Sequence, residues 1–470
     1  MSGLAAYMSL GKRRWLVVAG AMVIQFCLGT IYAWSAFTGA LTQPVAAGGE
    51  YGFSARQAAW IFSAGLAVFA VVMVFAGRLQ VRFGPRPVVA LGGVVLGCGY
   101  ILGGLLGGSF WGQLVGIGLV GGAGIGLAYV VPIAVGVKWF PDKKGLVAGL
   151  AVAGFGFGAT LWVKLAGSWF GGLLYTTSLF GLPGVQSVFL LYGVAFLFFV
   201  GLGSLVMLNP PPGYRPEGWD PALAQHLPAD PGVSGREFGS REMLRTPQFY
   251  LLWLMFCSTA LAGLMVIYSI SLFGIDALQA AQAVPGPAEA AMAAGTAMAW
   301  YAIFNGLGRI AWGGISDRLG RKWSLFMMCS FQAFILFAFF ELGSATSSLI
   351  IAAAVIGFNF GGNFALFPAA TADYFGPGNL GQNYGWVFLS YGVAGMLGPQ
   401  IAGYFRDMAV GGDISTWQTS FAIAGGACVF AALLALLLKP PAKIVDVAKS
   451  RDDDGARLAT CCFRMADQRV

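Results

Sequence analysis

The sequence predicts an all-α membrane protein whose twelve transmembrane helices form two pseudo-symmetric halves of six. Of its 470 residues, 58% are hydrophobic and only 10% are charged, whereas about a quarter of a soluble protein is charged. Apolar runs of about twenty residues recur along the chain, each long enough to cross a hydrocarbon core of about 30 Å as a helix. One long polar stretch divides these runs into two sets of six.

Six helices are predicted in the first half of the chain. The segment before them ends in Lys12–Arg14, and the apolar run that follows is too long for a signal peptide and lacks a convincing cleavage site. We therefore interpret it as an uncleaved first helix. The six helices are predicted near residues 15–37, 57–77, 88–107, 112–137, 146–168 and 185–208. Glycines in the fifth helix favour close contacts between membrane helices.

A proline-rich polar linker separates the halves. Six further helices are predicted near residues 248–274, 295–316, 323–341, 347–370, 383–405 and 417–438. The predicted organisation is therefore a first half at 1–208, a cytoplasmic linker at 209–246, a second half at 247–438 and a cytoplasmic tail at 439–470.

Lysine and arginine residues are concentrated on one side of the predicted membrane. With the amino terminus inside, all 27 except Arg56, Lys164, Arg309 and Arg406 fall in inner loops, the linker or the tails. This distribution predicts an even number of helices with both termini in the cytoplasm. It also argues against a nucleic-acid partner, because the net charge of +8 flanks helices and lines no groove.

A loop is repeated at the same place in each half. Residues 77–86, GRLQVRFGPR, match residues 313–322, GGISDRLGRK. The first copy has Val81 where the second has Asp317. Two similar loops predict two parallel halves related by an axis along the membrane normal, with a substrate site between them at mid-depth.

Twelve helices, a central linker and this G-x-L-x-D-R-x-G-R/K loop resemble the major facilitator superfamily. Four segments give a narrower resemblance to the oxalate/formate antiporter family and its relatives, the monocarboxylate transporters. They are 28–35 (LGTIYAWS), 139–149 (WFPDKKGLVAG), 358–362 (FNFGG) and 383–385 (NYG). The resemblance implies alternating access, with inner gating by Asp317 and by the loop cations Arg318, Arg82 and Arg86.

Arg309 is the leading candidate for substrate binding. An arginine at the centre of a membrane helix costs about 2.5 to 3.5 kcal/mol on insertion scales, so a favourable partner is expected. That partner is either a ligand, a set of backbone carbonyls or a carboxylate on a neighbouring helix. No Asp or Glu falls in the middle of a predicted helix, which favours an anionic ligand. The family resemblance implies a carboxylate, which a guanidinium binds with two parallel hydrogen bonds.

Two further polar residues are candidates. Asn305 lies four residues before Arg309, on the same helix face, and contacts the substrate, holds the guanidinium or bonds a neighbouring helix. Lys164 lies toward the outer end of the fifth helix, where it either attracts anions or extends to the membrane interface. The oxalate-carrying branch of the family has a lysine in helix eleven, and residues 388–391 contain none, which favours a monocarboxylate.

Aromatic side chains complete the predicted substrate site. Tyr32 and Tyr129 are preferred, since a buried hydroxyl needs a partner and the family has tyrosines near both positions. Phe360, Trp386 and Tyr391 lie on helices that line the cavity in the family. The alternative for each aromatic residue is core packing.

Other kinds of function lack the necessary residues. The single histidine, His226, lies in the linker, and no constellation for catalysis or metal binding is visible, so no enzyme, metal or cofactor is predicted. A G-x-G-x-x-G run at 116–121 lies inside a membrane helix and binds no nucleotide.

The predicted protein is a multi-pass secondary transporter of small organic carboxylates in the plasma (inner) membrane of a bacterium, functional as a monomer in the lipid bilayer. Anion exchange is favoured because the membrane region offers no carboxylate for protonation, and Asn305 stands where proton-coupled relatives have an acidic residue. The alternatives are a proton-coupled symporter of an organic anion and a carboxylate sensor without transport.

Overall fold

The computed structural model describes residues 10–43, 45–47, 49–167, 169–216, 236–410 and 414–441. Its first half contains six long helices. Helix α1 runs through Leu10–Leu28, a 3-10 turn at Gly29–Ala33 and Trp34–Thr42, and α4 runs through Phe110–Gln113, a π-helical stretch at Leu114–Gly121 and Gly122–Trp139. The others are α2 (Ala55–Phe83), α3 (Pro85–Leu105), α5 (Lys144–Gly167) and α6 (Gly184–Ser204).

The second half also contains six long helices. Its helices are α7 (Pro247–Ala280), α8 (Pro287–Leu319), α9 (Arg321–Leu342), α10 (Thr346–Phe375), α11 (Leu380–Val410) and α12 (Thr416–Leu437). The described part of the chain contains no strand, and ten of its helices are long and apolar enough to cross a membrane. The other two long helices, α8 and α11, carry the buried polar residues Asn305, Arg309 and Asn383. The predicted fold class is confirmed.

Several helices extend beyond the apolar runs that predicted them. A helix ends where the backbone conformation changes, and this need not coincide with the membrane surface. Helices α2, α8 and α10 end at Gly84, Gly320 and Gly376, which have φ angles of 84°, 80° and 89°. Such angles strain any residue with a Cβ. Gly84 and Gly320 occupy matching places in the repeated loop, so both copies turn in the same way.

The two halves pack by the same rules. In the first half α1 packs on α5, α2 on α4 and α3 on α6, and in the second half α7 packs on α11, α8 on α10 and α9 on α12. Between the halves α5 packs along α8, and α2 packs along α11. Each of these packed helix pairs within one half therefore has a counterpart six helices away in the other, as the loop repeat predicts.

The bundle has two distinct ends. Helix α1 begins, α12 ends and linker residues 236–246 pack at one end, which we call the linker end. The opposite end is called the vestibule end. The exact domain boundaries at 208/209 and 246/247 stay predictions, and residues 217–235 of the predicted linker and 442–470 of the predicted tail lie outside the described residues.

Candidate substrate site and gate

Arg309 is fully buried between the two halves, with 0% of its surface exposed. Its Nε donates to Oδ1 of Asn305 at 3.0 Å, and its Nη1 donates to the carbonyl of Val152 on α5 at 3.0 Å. The Cζ atom lies 5.3 Å from the ring centroid of Phe155 and 4.2 Å from that of Phe364. Two hydrogen bonds and two aromatic rings therefore hold the cation, and they leave part of it unsatisfied.

The unsatisfied part is Nη2, which has no hydrogen-bond partner among the described residues. The ion pairs among the described residues lie at the linker end, and none of them includes Arg309. A buried donor without a partner costs about 1–3 kcal/mol, and more when it is charged. The guanidinium is thus arranged to receive an additional acceptor.

Three tyrosine hydroxyls near the guanidinium also form no hydrogen bond of ordinary length within the described structure. They belong to Tyr129 on α4, Tyr301 on α8 and Tyr384 on α11, and all three interact electrostatically with Arg309. The Nδ2 group of Asn305 likewise forms no hydrogen bond of ordinary length within the described structure. Polar groups from both halves therefore lie near the guanidinium, an arrangement suited to an anion with several acceptor oxygens.

Tyr32 and Tyr391 close this cluster by bonding each other. Their hydroxyl groups form a hydrogen bond between α1 and α11, across 359 residues of sequence. The ring of Tyr32 packs edge-on against Phe155, and that of Tyr391 packs against Phe364. The two rings that contact Arg309 thus also support the Tyr32–Tyr391 pair.

Two glycines set the position of the arginine's helix. A Cβ on Gly149 of α5 would lie 2.1 Å from the carbonyl oxygen of Arg309, and one on Gly361 of α10 would lie 2.1 Å from that of Asn305. Real atoms do not approach so closely, so both positions require glycine. Helix α8 is therefore held between α5 and α10 with its backbone nearly touching theirs.

A cavity opens at the vestibule end. It has a volume of about 600 Å³ and is lined by α1, α2, α7 and α11, with Tyr32 among its lining residues and Arg406 beside it. Tyr32 also lines a separate space of about 10 Å³ next to Asn305 and Tyr301, which holds about one water molecule. Such a space is too small for an organic acid, and Tyr32 is a lining residue of both this space and the vestibule.

Three other predicted site residues form no hydrogen bond or cation–π contact with the guanidinium. Phe360 is buried on α10 and packs against Gly263 of α7 and against Phe364. Trp386 lies on α11 with Arg78 over its ring at 5.8 Å. Lys164 is half-buried in the last turn of α5 and does not line the vestibule. Their roles in binding stay predictions.

The linker end is closed by charged residues. Asp317 accepts hydrogen bonds from the backbone N–H groups of Gly145 at 2.9 Å and Leu146 at 2.8 Å, which lie in the first turn of α5. A carboxylate is favoured there because the helix dipole is positive at its amino end. This contact joins α8 of the second half to α5 of the first.

A second carboxylate completes this closure. Asp373 on α10 pairs with Lys144 of α5 at 2.8 Å and with Arg321 of α9 at 2.7 Å, and Arg321 also reaches Asp317 at 2.8 Å. We call Lys144, Asp317, Arg321 and Asp373 the gate cluster. It connects the halves at the end opposite the vestibule.

The remaining predicted gating residues lie outside the gate cluster. Arg82 is exposed and lies over the ring of Phe83, Arg86 donates to the carbonyl of Leu205 within its own half, and Arg318 is exposed beside Asp317. Their participation in gating stays a prediction.

Sequence reasoning missed several residues of both sites. Phe155, Phe364, Tyr301 and Tyr384 were not selected, although helical spacing of four places Phe364 on the face of Phe360 and Tyr301 on that of Asn305. Lys144, Arg321 and Asp373 were also missed. Asp373 fell beyond the predicted end of its helix, and its partners are 52 and 229 residues away in sequence.

Comparisons with known proteins agree with this architecture. The sequence profile described as Major Facilitator Superfamily matches residues 21–293 and 286–464. The chain is similar in structure to the proton:xylose symporter XylE, with a TM-score of 0.60 and 15% identity over 93% of this chain and 98% of that one. At this identity the likeness shows the fold.

Curated relatives are similar over most of their length. An oxalate:formate antiporter of Oxalobacter formigenes is 27% identical over 92% of this chain and 92% of its own. Apicoplast pyruvate carrier 1 of Toxoplasma gondii is 28% identical over 80% of this chain and 81% of its own. The profile match spans most of the chain and the fold agrees with it, so this multi-pass membrane protein belongs to the major facilitator superfamily.

Proposed function

We propose that this transporter carries small organic carboxylates of the monocarboxylate or oxalate/formate type, and that Arg309 binds the carboxylate. The observation that carries the proposal is Nη2 of Arg309, which is fully buried and forms no hydrogen bond among the described residues, with the hydroxyl groups of Tyr129, Tyr301 and Tyr384 near the guanidinium. A carboxylate supplies the acceptor oxygens that these donors lack.

The charge of the site limits the substrate. Arg309 is the one cation in the described central cluster, and residues 388–391 of α11 contain none. One buried cation balances one negative charge, which favours a monocarboxylate over a dianion. The relatives named above act on this class of substrate, since formate and pyruvate are small monocarboxylates, and one of them also takes the dicarboxylate oxalate.

The proposed transport cycle is alternating access. In this structure the gate cluster closes the linker end, and the vestibule approaches Tyr32 from the other end. We assign the linker end to the cytoplasm, because the lysines and arginines of the described loops concentrate there. Separation of Tyr32 from Tyr391 would admit the substrate to Arg309, and release of the gate cluster would then let it leave.

Anion exchange is the proposed mode. No carboxylate lies near the guanidinium among the described residues, so a return of the empty carrier would leave the charge of Arg309 uncompensated. A bound anion at every passage avoids that cost. Proton-coupled symport of an organic anion is the second candidate, and there the substrate itself would bring the proton. The protein is proposed to act as a monomer in the bacterial inner membrane.

Two measurements test this function. Purified protein is heated with formate, oxalate, lactate or pyruvate, and a substrate should raise its apparent unfolding temperature, because a ligand stabilises the state that binds it. Proteoliposomes loaded with the same acid, or left empty, are then tested for uptake of its labelled form. Uptake that requires internal carboxylate supports exchange, and uptake that follows an imposed pH gradient without internal substrate supports symport. A protein that none of the acids stabilises and that transports none of them would refute the proposal.

A further inference from the structure

The gate cluster has no counterpart within the first-half loop. In the second half, Asp317 accepts a hydrogen bond from the first turn of α5. The helix backbones meet at the same place, because a Cβ on Gly313 would lie 2.3 Å from the carbonyl of Gly145. The first half reproduces the backbone contact, because a Cβ on Gly77 would lie 2.1 Å from the carbonyl of Gly381 at the start of α11. Val81 stands in the position of Asp317 and offers no acceptor.

A cavity marks this place. It has a volume of about 200 Å³ and is lined by Val81, Lys138, Gly378 and Gly381, among others. Lys138 lies in the last turn of α4, in the first half. Lys138 and the amino end of α11 therefore border a cavity at which the first-half loop supplies no carboxylate.

The linker supplies a negatively charged side chain near this cavity. Glu237 accepts hydrogen bonds from the backbone N–H of Gly378, at 2.9 Å to Oε1 and 3.0 Å to Oε2. Gly378 lies two residues before α11 begins. Lys138 lines the same cavity as Gly378 and is attracted by this carboxylate without forming a direct ion pair with it. Glu237 thus lies between the start of α11 in the second half and a cation of the first.

The neighbouring residue fixes the position of Glu237. Phe238 is buried, its N–H donates to the carbonyl of Phe375 at 2.9 Å, and its own carbonyl accepts from Nδ2 of Asn379 at 3.1 Å and of Asn383 at 3.0 Å. The ring of Phe238 also packs edge-on against that of Phe375. The linker is therefore attached to the ends of α10 and α11 by side-chain and backbone bonds.

We propose that Glu237 is a positioning residue of the transport cycle, which supplies from the linker the carboxylate that Val81 does not provide. Docked on α10 and α11, it attracts Lys138 of α4 and holds α11 against the first half at the linker end, as Asp317 and Asp373 hold the second half against α5. The linker end is then closed on two sides, by the gate cluster and by this attraction, and the second depends on the linker. This role does not depend on which substrate is carried.

The test measures the closure from the opposite end of the molecule. Thr38 lines the vestibule, so a Thr38→Cys reporter, in a full-length protein whose native cysteines are replaced, reports how often the vestibule is open through its rate of labelling by a bulky maleimide. Glu237→Gln should slow this labelling at least threefold, because a weaker linker-end contact favours the state with a closed vestibule. Lys138→Gln should slow it similarly, and the double variant should be no slower than the single ones.

A rescue and a matched control separate gating from general loosening. Val81→Asp in the Glu237→Gln protein returns a carboxylate to the loop and should restore most of the labelling rate. Glu242→Gln removes a nearby linker acid that pairs with Arg236 at 2.8 Å and not with α11, so it should label as the parent protein does. Unchanged labelling in Glu237→Gln would overturn the proposal. Equal slowing in Glu237→Gln and Glu242→Gln, or no rescue by Val81→Asp, would overturn it as well.

Discussion

The guanidinium of Arg309 lies over the ring of Phe364, with 4.2 Å between Cζ and the ring centroid. The ring lies on α10 of the same half, and Phe155 provides a second ring from α5 of the other half. Aromatic faces attract a cation without neutralising it. Arg309 can therefore remain buried while its charge stays available to a ligand.

Replacing Phe364 by leucine should weaken carboxylate binding while leaving the fold intact. A desolvated cation–π contact is worth about 0.5–2 kcal/mol, which corresponds to about a 2- to 30-fold increase in Kd. Titration of the purified variant with its substrate measures this change. Phe367→Leu is the matched control, because Phe367 stacks on Phe256 and does not contact Arg309. Equal losses in the two variants would show that only packing is involved.

Replacing Arg309 by methionine should stabilise the empty protein while abolishing transport. The cation is incompletely paired in a fully buried position, so an apolar side chain of similar length removes an unfavourable charge. We expect a higher apparent unfolding temperature without substrate, and no further rise when substrate is added. Arg309→Lys keeps the charge and should not show this gain. A variant less stable than the parent would indicate that Arg309 is already satisfied in the empty state.

Replacing Asp373 by asparagine should open the linker end. Its carboxylate pairs with both Lys144 and Arg321, and loss of one partner from a buried ion pair costs about 3–5 kcal/mol. The closed state is therefore destabilised. A cysteine introduced at the α5–α8 interface should react more rapidly with a thiol reagent that enters from the linker end. Asp276→Asn is a suitable control, since that acid accepts a bond from Trp417 and belongs to no gate contact. Unchanged access in the Asp373 variant would exclude the gate cluster from closure.

Replacing Gly149 by alanine should disrupt the α5–α8 contact. The added methyl group would lie 2.1 Å from the carbonyl of Arg309, so the helices must separate and Nη1 loses the carbonyl of Val152. We expect a lower unfolding temperature and at least tenfold slower transport. Gly201→Ala on α6, where no heavy atom lies within 4 Å, should be neutral or slightly stabilising because alanine favours helix. Similar behaviour of the two variants would contradict the contact.

The sequence was sufficient to predict the helices and the principal arginine. Hydrophobic runs identify membrane helices, and one arginine in such a run is conspicuous because its insertion is costly. The spacing of Asn305 and Arg309 placed them on one helix face, as the structure shows. Contacts such as Tyr32 with Tyr391, or Lys144 with Asp373, join residues far apart in sequence and depend on helix packing. No local pattern encodes them, so the gate cluster and the tyrosines at the centre required the structure.

The central claim is that Arg309 binds the transported carboxylate, and uptake by proteoliposomes tests it most directly. Parent protein, Arg309→Ala and the control Arg245→Ala, which removes an exposed arginine at the linker end, are reconstituted at equal density and tested with formate, oxalate, lactate and pyruvate. Loss of a buried charged partner costs about 2–5 kcal/mol of binding, so Arg309→Ala should reduce uptake of the substrate at least about 30-fold while Arg245→Ala retains it. Uptake of every acid at parental rates by Arg309→Ala would contradict the account.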